Sequence, residues 1–140
     1  MLEDSVLDIV NAEIANAEIA NAEVGAESDE ELLQGVIDAL DDKKAYNIRI
    51  LDLSEVSDSL SYFVIASGES NLQLKAMQDS VKEKLKDLNW LPRGIEGPSE
   101  RWILMDYGHM IIHLMSPEAR SFYDLEGLWA DASEVEILPS

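Results

Sequence analysis

A chain of 140 residues, 46% of them hydrophobic and 28% charged, is long enough to form one domain with a substantial core. Its formal net charge of −19 repels phosphate backbones, so direct nucleic-acid binding is not expected as its main activity. The absence of cysteine excludes disulfides and thiolate chemistry. No secretory signal pattern and no apolar run near the ~20 residues of a membrane span are present, so we expect a cytoplasmic protein.

The first 27 residues are set apart by a five-residue repeat, NAEIA NAEIA NAEV, between Asn11 and Val24. Because a helix advances roughly 100° per residue, a five-residue step carries successive isoleucines to different faces, and no buried stripe results. Residues 1–31 also hold ten acidic side chains and no basic one. We predict that residues 1–27 form an acidic tail that is disordered or a frayed helix. A pentapeptide-repeat solenoid and a tail that contacts a basic surface are the alternatives.

The next part predicts a helix followed by two strands. Ser28-x-x-Glu31 is a capping box, and apolar residues then recur at helical spacing until about Asp42–Lys44. Two strand patterns follow, Asn47–Leu53 and Tyr62–Ala66, with a polar loop between them. The second run is continuously apolar, which predicts a central strand buried on both faces.

A second helix and a hairpin are predicted in the middle of the chain. Ser70-x-x-Gln73 is another capping box, and it opens a helix of about five turns with one apolar face. A weak strand is expected at Leu91–Ile95, and a Gly/Pro loop at Glu96–Glu100. The apolar runs Trp102–Met105 and Met110–Met115 enclose a tight turn and predict a β-hairpin.

Ser116-Pro117 predicts the start of a last helix that runs to about Trp129, with Phe122, Leu125 and Trp129 on one buried stripe. The element order predicts an α/β fold with one mixed sheet of about five strands flanked by helices. We therefore divide the chain into the tail 1–27, a domain at 28–132 and a loosely ordered acidic C-terminal tail at 133–140.

Sites for metal or covalent catalysis are not indicated. His109 and His113 would lie about 13 Å apart on a strand, too far to share a metal with Asp106. The chain has no G-x-S-x-G elbow and no P-loop. Two-metal phosphoryl transfer needs paired carboxylates, and none follows the Gly68-Glu69-Ser70 turn at a suitable distance. No catalytic residue, cofactor or metal is therefore expected. Trp102, beside the Gly/Pro loop, is the candidate for an exposed aromatic anchor on a basic protein.

Five pieces of sequence, in order, resemble one known family. They are Tyr62-Phe-Val-Ile-Ala-Ser67-Gly68-x-Ser70, Glu96-Gly97, Trp102-Ile-Leu-Met-Asp106-Tyr-Gly108, Ile111-Ile112-His113 and Arg120-x-Phe-Tyr-x-Leu-Glu126-x-Leu-Trp129. Together they resemble the ribosomal silencing factor family, also called the Iojap-like family, over about Leu32 to Ala132.

The resemblance implies a fold similar to nucleotidyltransferases without their catalytic carboxylates. It implies a protein that is not an enzyme and that binds the large ribosomal subunit through its basic fourteenth protein, in the universal naming, at the subunit interface. Bound there, such a protein blocks joining of the small subunit and represses translation when nutrients are short.

Carried over by position, the resemblance places a partner-binding face on the hairpin region. The expected contact residues are Glu96, Trp102, Asp106, Tyr107, His109 and His113. The matching positions Tyr62, Arg120, Tyr123 and Glu126 are expected to serve either the fold or the contact. An exposed Trp102 could also pair with its own copy in a homodimer when the protein is free.

Two positions depart from the family pattern, since Ser61 and His109 stand where aspartate is usual. Both changes remove a negative charge near the expected interface, and protonation of His109 is expected to weaken binding to a basic partner at mildly acid pH. A magnesium-dependent nucleotidyltransferase-like enzyme and an acidic adaptor for another basic protein remain as alternative functions.

Overall fold

The computed structural model describes residues 28–140, and the predicted tail at 1–27 lies outside the described residues. The elements, in chain order, are α1 (Asp29–Asp42), β1 (Tyr46–Asp52), β2 (Tyr62–Ser67), α2 (Asn71–Asp87), β3 (Gly94–Ser99), β4 (Trp102–Asp106), β5 (Met110–Met115), α3 (Pro117–Tyr123), α4 (Leu125–Leu128) and β6 (Ser133–Val135). The predicted α/β fold is confirmed.

One mixed sheet carries all the strands of the described chain, in the order β3-β4-β5-β2-β1-β6. The central pair, β2 and β5, is parallel, whereas every other neighbouring pair is antiparallel. It follows that β3 runs parallel to β2, with β4 and β5 between them in the sheet, and that α2 is the crossover that connects β2 to β3. The burial of β2, from Phe63 to Ser67, confirms the predicted central strand.

Helices α1 and α2 cover one face of the sheet. Both predicted caps are present, because Ser28 accepts a hydrogen bond from the backbone N–H of Glu31 and Ser70 accepts one from that of Gln73. The predicted apolar stripe of α2 faces the sheet, with its first four members fully buried and the last, Leu88, half-buried. Local pattern and tertiary packing therefore agree in this half of the molecule.

The opposite face of the sheet is covered by α3, α4 and the loop between β1 and β2. Its core is made of side chains from β1, β2, β4 and β5, closed by Leu53 and Leu60 from the loop and by Ala119 and Leu125 from the two short helices. Successive apolar residues of β5 alternate between the two cores, as the side chains of a strand do. The β4–β5 hairpin is thus packed on both sides.

The third strand lies further along the chain than the sequence predicts. Instead of Leu91–Ile95 followed by a loop, the strand spans Gly94–Ser99 and includes the expected Gly/Pro segment. Within residues 28–140, this strand lies at the edge of the sheet and pairs only with β4, with a shift of register between Glu96 and Ser99. Proline is tolerated at such an edge because no partner requires its missing N–H. Gly97 has a φ of 98°, and a Cβ there would lie 2.3 Å from the carbonyl oxygen of Trp102, so glycine is required.

The prediction of a single helix from Pro117 to Trp129 is wrong, because Asp124 interrupts the helix and separates α3 from α4. Its backbone is left-handed, with φ 47° and ψ 55°, and its carboxylate accepts a hydrogen bond from the N–H of Gly127 to cap the single turn α4. Aspartate suits this position because its short polar side chain bonds to nearby backbone. The break turns Phe122 outward, so the predicted buried stripe is also wrong for this residue.

The C-terminal segment, predicted to be loosely ordered, adds a sixth strand to the expected five. Strand β6 pairs with β1 through Ser133–Val135. Beyond it, the carbonyl of Leu138 accepts a hydrogen bond from the amide of Gln34, and Ser140 donates two to the carboxylate of Asp38 on α1. This segment therefore ties the sheet edge to α1. No helix in the described chain is long and apolar enough to cross a membrane.

Candidate functional site

The predicted exposed anchor, Trp102, is buried. Its side chain begins β4 and is only 7% exposed, because the face of the sheet on which it lies is covered by Tyr123 of α3. The two rings are 5.2 Å apart and inclined by 37°. No local pattern indicates this contact, because it depends on α3 folding back over the hairpin. The prediction that Trp102 is exposed is therefore wrong. The expected homodimer depended on that exposure, so the structure gives it no support.

His113 lies beneath Trp102 and is fully buried. The indole Nε1–H of Trp102 donates to Nδ1 of His113 at 3.1 Å, and the imidazole packs edge-on against Phe63 at 4.6 Å. Burial lowers the pKa of His113 to about 3, so the ring is neutral and its proton resides on Nε2. This Nε2 has no hydrogen-bond partner among residues 28–140. His113 is thus an internal link of the hairpin and does not reach the surface.

The turn between β4 and β5 is internal as well. The carboxylate of Asp106 accepts a hydrogen bond from the N–H of Gly108 at 2.8 Å, and Tyr107 packs against Trp90 at 5.1 Å. Burial raises the pKa of Tyr107 above its ordinary value. Asp106 and Tyr107 are nearly inaccessible, and the turn residues therefore hold the hairpin in shape.

His109 connects this turn to α1 and β2. Its Nε2 lies 2.7 Å from a carboxylate oxygen of Asp29, and its ring stacks on Trp90 at 5.3 Å. The carbonyl of His109 accepts hydrogen bonds from the N–H groups of Ser61 and Tyr62. His109 therefore pairs with a partly exposed carboxylate of its own chain and does not face outward.

Of the six expected contact residues, Glu96 alone is exposed. It lies on the edge strand β3, whereas the other five are in the interior of the hairpin. The exposed aromatic of this region is Phe122, 59% exposed, whose ring meets Tyr123 edge-on at 5.0 Å. The hydroxyl of Tyr123 donates a hydrogen bond to the carboxylate of Glu100 in the β3–β4 turn. The surface over the hairpin is therefore formed by Glu96, Glu100, Phe122 and Tyr123.

The motif residues Arg120 and Glu126 form a partly buried ion-pair network. The Arg120 guanidinium donates to Glu126 at 2.8 Å and to the hydroxyl of Ser67 at 2.9 Å, and Arg49 of β1 also pairs with Glu126. The neighbouring Arg120 guanidinium holds the pKa of Glu126 below its ordinary value, with Arg49 adding to the effect. The network fastens α3 and α4 to the sheet, so these two residues serve the fold.

The described residues contain no group of three or more Asp, Glu or His side chains placed to hold a metal ion. The two histidines face different cores, since His109 stacks on Trp90 beside α1 while His113 packs with Phe63 on the other side of the sheet. The exposed side chains over the hairpin therefore come from an edge strand, a turn and a short helix.

A family model described as "Ribosomal silencing factor during starvation" matches residues 26–139. The chain belongs to this family. The match extends through β6, which agrees with the contacts made by that strand and places the C-terminal residues within the family region. The resemblance to the ribosomal silencing factor and Iojap-like family is thereby confirmed.

Individual members of the ribosomal silencing factor family agree with this assignment. The chain is 42% identical to a ribosomal silencing factor of Zymomonas mobilis over 106 residues, which is 75% of this chain and 80% of the relative. It is 34% identical to mouse mitochondrial assembly of ribosomal large subunit protein 1, over 76% of this chain and 47% of that protein. A crystal structure of a protein from Chromobacterium violaceum has a TM-score of 0.71 at 37% identity, with 74% of this chain and 88% of that chain covered.

Sequence reasoning missed Phe122 and Glu100 as surface residues. Phe122 has the spacing of a core residue relative to Leu125, and only the backbone break at Asp124 turns it outward. Glu100 and Arg101 form a two-residue hairpin turn, for which Asn-Gly is the usual signal. The sequence Pro-Ser-Glu-Arg-Trp carries no such signal, so this hairpin could not be recognised in advance.

Proposed function

We propose that this protein acts as a ribosomal silencing factor on the large ribosomal subunit. It binds the basic fourteenth protein of that subunit at the subunit interface, blocks joining of the small subunit and so represses translation when nutrients are limiting. Membership of the ribosomal silencing factor family is the observation that carries this proposal. The name of the mouse relative supports the choice of subunit, because it refers to assembly of the ribosomal large subunit.

The charge and shape of the exposed hairpin region support a basic protein partner. Glu96 and Glu100 lie on the edge strand and its turn, with Phe122 and Tyr123 beside them on α3. Aromatic side chains beside carboxylates suit a basic protein surface. The net charge of −19 favours encounter with such a surface and opposes binding to ribosomal RNA.

In this proposal, one of the six predicted contact residues touches the partner directly, and the other five support the contact surface from the interior. Glu96 touches the partner, because it is exposed on β3. Trp102 and His113 support Tyr123 from below, while Asp106, Tyr107 and His109 maintain the hairpin turn. The protein works by occupying a surface, without catalysis or a cofactor, in the cytoplasm, where ribosomes operate.

Sedimentation of purified ribosomal subunits tests the proposal. The wild type should travel with the large subunit and reduce the joined-ribosome peak. Glu96→Lys should bind about tenfold more weakly, because it places like charge against a basic partner. Glu55→Lys makes the same charge change at an exposed position in the β1–β2 loop and should bind like the wild type.

The contrary outcomes separate the alternatives. A wild-type protein that neither binds the large subunit nor reduces joining would overturn the proposed function and favour an acidic adaptor. Magnesium-dependent nucleotide binding by the same preparation would favour the nucleotidyltransferase-like alternative. Equal loss of binding in both charge-reversal variants would assign the effect to net charge and remove the edge strand β3 from the interface.

A further inference from the structure

A shallow cleft lies between the β3–β4 turn and α3. It has a volume of about 400 Å³ and is lined mainly by Glu100, Arg101, Glu118, Phe122 and Tyr123. Aromatic rings form its wall and carboxylates lie at its rim. The cleft is open at the surface and distinct from the interior contacts of the hairpin turn.

The aromatic wall is exposed on one side and supported on the other. Phe122 and Tyr123 meet at an interplanar angle of 89°, and Tyr123 rests on the buried ring of Trp102. Trp102 is in turn held by its hydrogen bond to His113. Because more than half of the Phe122 side chain is exposed, its ring contributes little to the stability of the core.

A fixed carboxylate lies at the end of the Tyr123 ring. The phenol donates a hydrogen bond to one oxygen of Glu100, and this hydrogen bond is the main reason why the pKa of Tyr123 rises to about 12. The phenol therefore remains a donor and keeps Glu100 in place, with the second carboxylate oxygen available to another donor. Glu118 also lines the cleft, and its carboxylate lies 4.0 Å from the Arg101 guanidinium.

The turn that presents Glu100 has an unfavourable backbone for its residues. Glu100 and Arg101 have φ values of 53° and 61°, a region in which Asn and Gly are preferred. Positions of this kind persist when the surrounding structure enforces them, and they are concentrated at binding sites. The turn therefore places a carboxylate beside the aromatic wall at a conformational cost.

We propose that this cleft binds the guanidinium group of an arginine side chain from a basic protein partner. A guanidinium is flat, stacks on aromatic faces and donates paired hydrogen bonds to a carboxylate, which matches Phe122, Tyr123 and Glu100. Lysine offers a compact, strongly hydrated charge that stacks less well on the face of an aromatic ring. The choice of a basic protein as the source of the arginine rests on the function proposed above.

The chain itself does not supply the occupant. Residues 1–31 contain no arginine or lysine. Arg49 and Arg120 are engaged with Glu126, Arg93 has an interaction of its own and does not line the cleft, and Arg101 lines the cleft from the turn. Because Arg101 brings a like charge to the rim, its removal is expected to strengthen binding of a second guanidinium.

Titration of the full-length protein with a hexa-arginine peptide, observed through the NMR signals of its aromatic rings, tests the inference. The Phe122 and Tyr123 signals should shift and saturate, with affinity at least about fivefold above that for hexalysine. Phe122→Leu and Glu100→Gln should each weaken binding about tenfold, while Arg101→Ala should strengthen it. Leu128→Ala, at another exposed apolar side chain, is the control and should bind like the wild type. An unchanged Trp102 indole signal in each variant verifies the fold.

The same variants are then compared in large-subunit sedimentation. Peptide binding at the rings without large-subunit binding would support the cleft and overturn the proposed function. Large-subunit binding that is unaffected by Phe122→Leu and Glu100→Gln, with no ring shifts from the peptide, would overturn the cleft and leave the function standing. Equal ring shifts with hexalysine would overturn guanidinium recognition.

Discussion

At the scale of single residues, the buried imidazole of His113 couples folding to pH. Its pKa in the folded protein is about 3, whereas the ordinary value is about 6.5. Between these values the unfolded chain binds a proton that the folded chain does not. The contribution of His113 to stability is therefore complete above about pH 6.5 and is lost as the pH falls.

Because of His113, we expect the free energy of unfolding to fall by about 1.4 kcal/mol as the pH is lowered from about 6 to about 5. Urea denaturation of the wild type and of His113→Gln at several pH values measures the effect. The glutamine keeps a possible acceptor for Trp102 but does not titrate, so its unfolding free energy should depend less steeply on pH. Identical slopes for the two proteins would contradict the assignment.

A second residue-scale prediction concerns Glu126. Glu126→Gln should lower the free energy of unfolding by about 2 kcal/mol, because it leaves the largely buried Arg120 without its charged partner. The matched control is Glu118→Gln, whose carboxylate is exposed and lies 4.0 Å from Arg101, and little change is expected there. Chemical denaturation of the wild type and of both variants measures these differences. If Glu126→Gln were as stable as Glu118→Gln, the ion-pair network would make no net contribution to the free energy of unfolding.

At the scale of elements, the C-terminal segment is a structural part of the domain. Strand β6 pairs with β1, and Val135 and Ile137 pack against the core beneath α1. Removal of residues 133–140 should lower the free energy of unfolding by roughly 3 kcal/mol, because it exposes these side chains and the edge of β1.

Thermal and urea denaturation of the shortened protein measure this loss. Ser140→Ala removes only the hydroxyl contact to Asp38 and should have a much smaller effect. A shortened protein as stable as the full chain would mean that β6 adds no net stability. The domain would then end near residue 132, as the sequence alone suggests.

At the scale of the whole molecule, charge should govern the rate of association with a basic partner. A net charge of −19 produces a field that steers encounter and is screened by salt. We expect the association rate with large subunits to fall by about tenfold or more between about 50 and 300 mM salt, with a smaller change in dissociation.

Surface-immobilised large subunits allow both rates to be measured. A variant without residues 1–27 lacks seven acidic side chains and should show a weaker salt dependence, while its dissociation rate stays close to that of the full chain. An association rate independent of salt would contradict electrostatic steering. A strong change in dissociation on truncation would instead assign contacts to the tail.

The sequence by itself determined the elements whose signals are local. The capping serines Ser28 and Ser70, the apolar stripe of α2 and the continuous apolar run of β2 each encode their structure within a few residues. The β4–β5 hairpin also has a local signal, in two apolar runs separated by a short turn. Together with the ordered family motifs, these features were enough for the α/β fold and the family.

Only the tertiary structure decided which side chains reach the surface. The edge strand β3 and the terminal strand β6 have weak local patterns and depend on pairing with β4 and β1. Trp102 is buried because α3 folds over it, and Phe122 is exposed because the chain breaks at Asp124. Contacts such as Tyr123 with Glu100 join residues far apart in sequence, and periodicity, which reports the environment of a single element, carries no information about them.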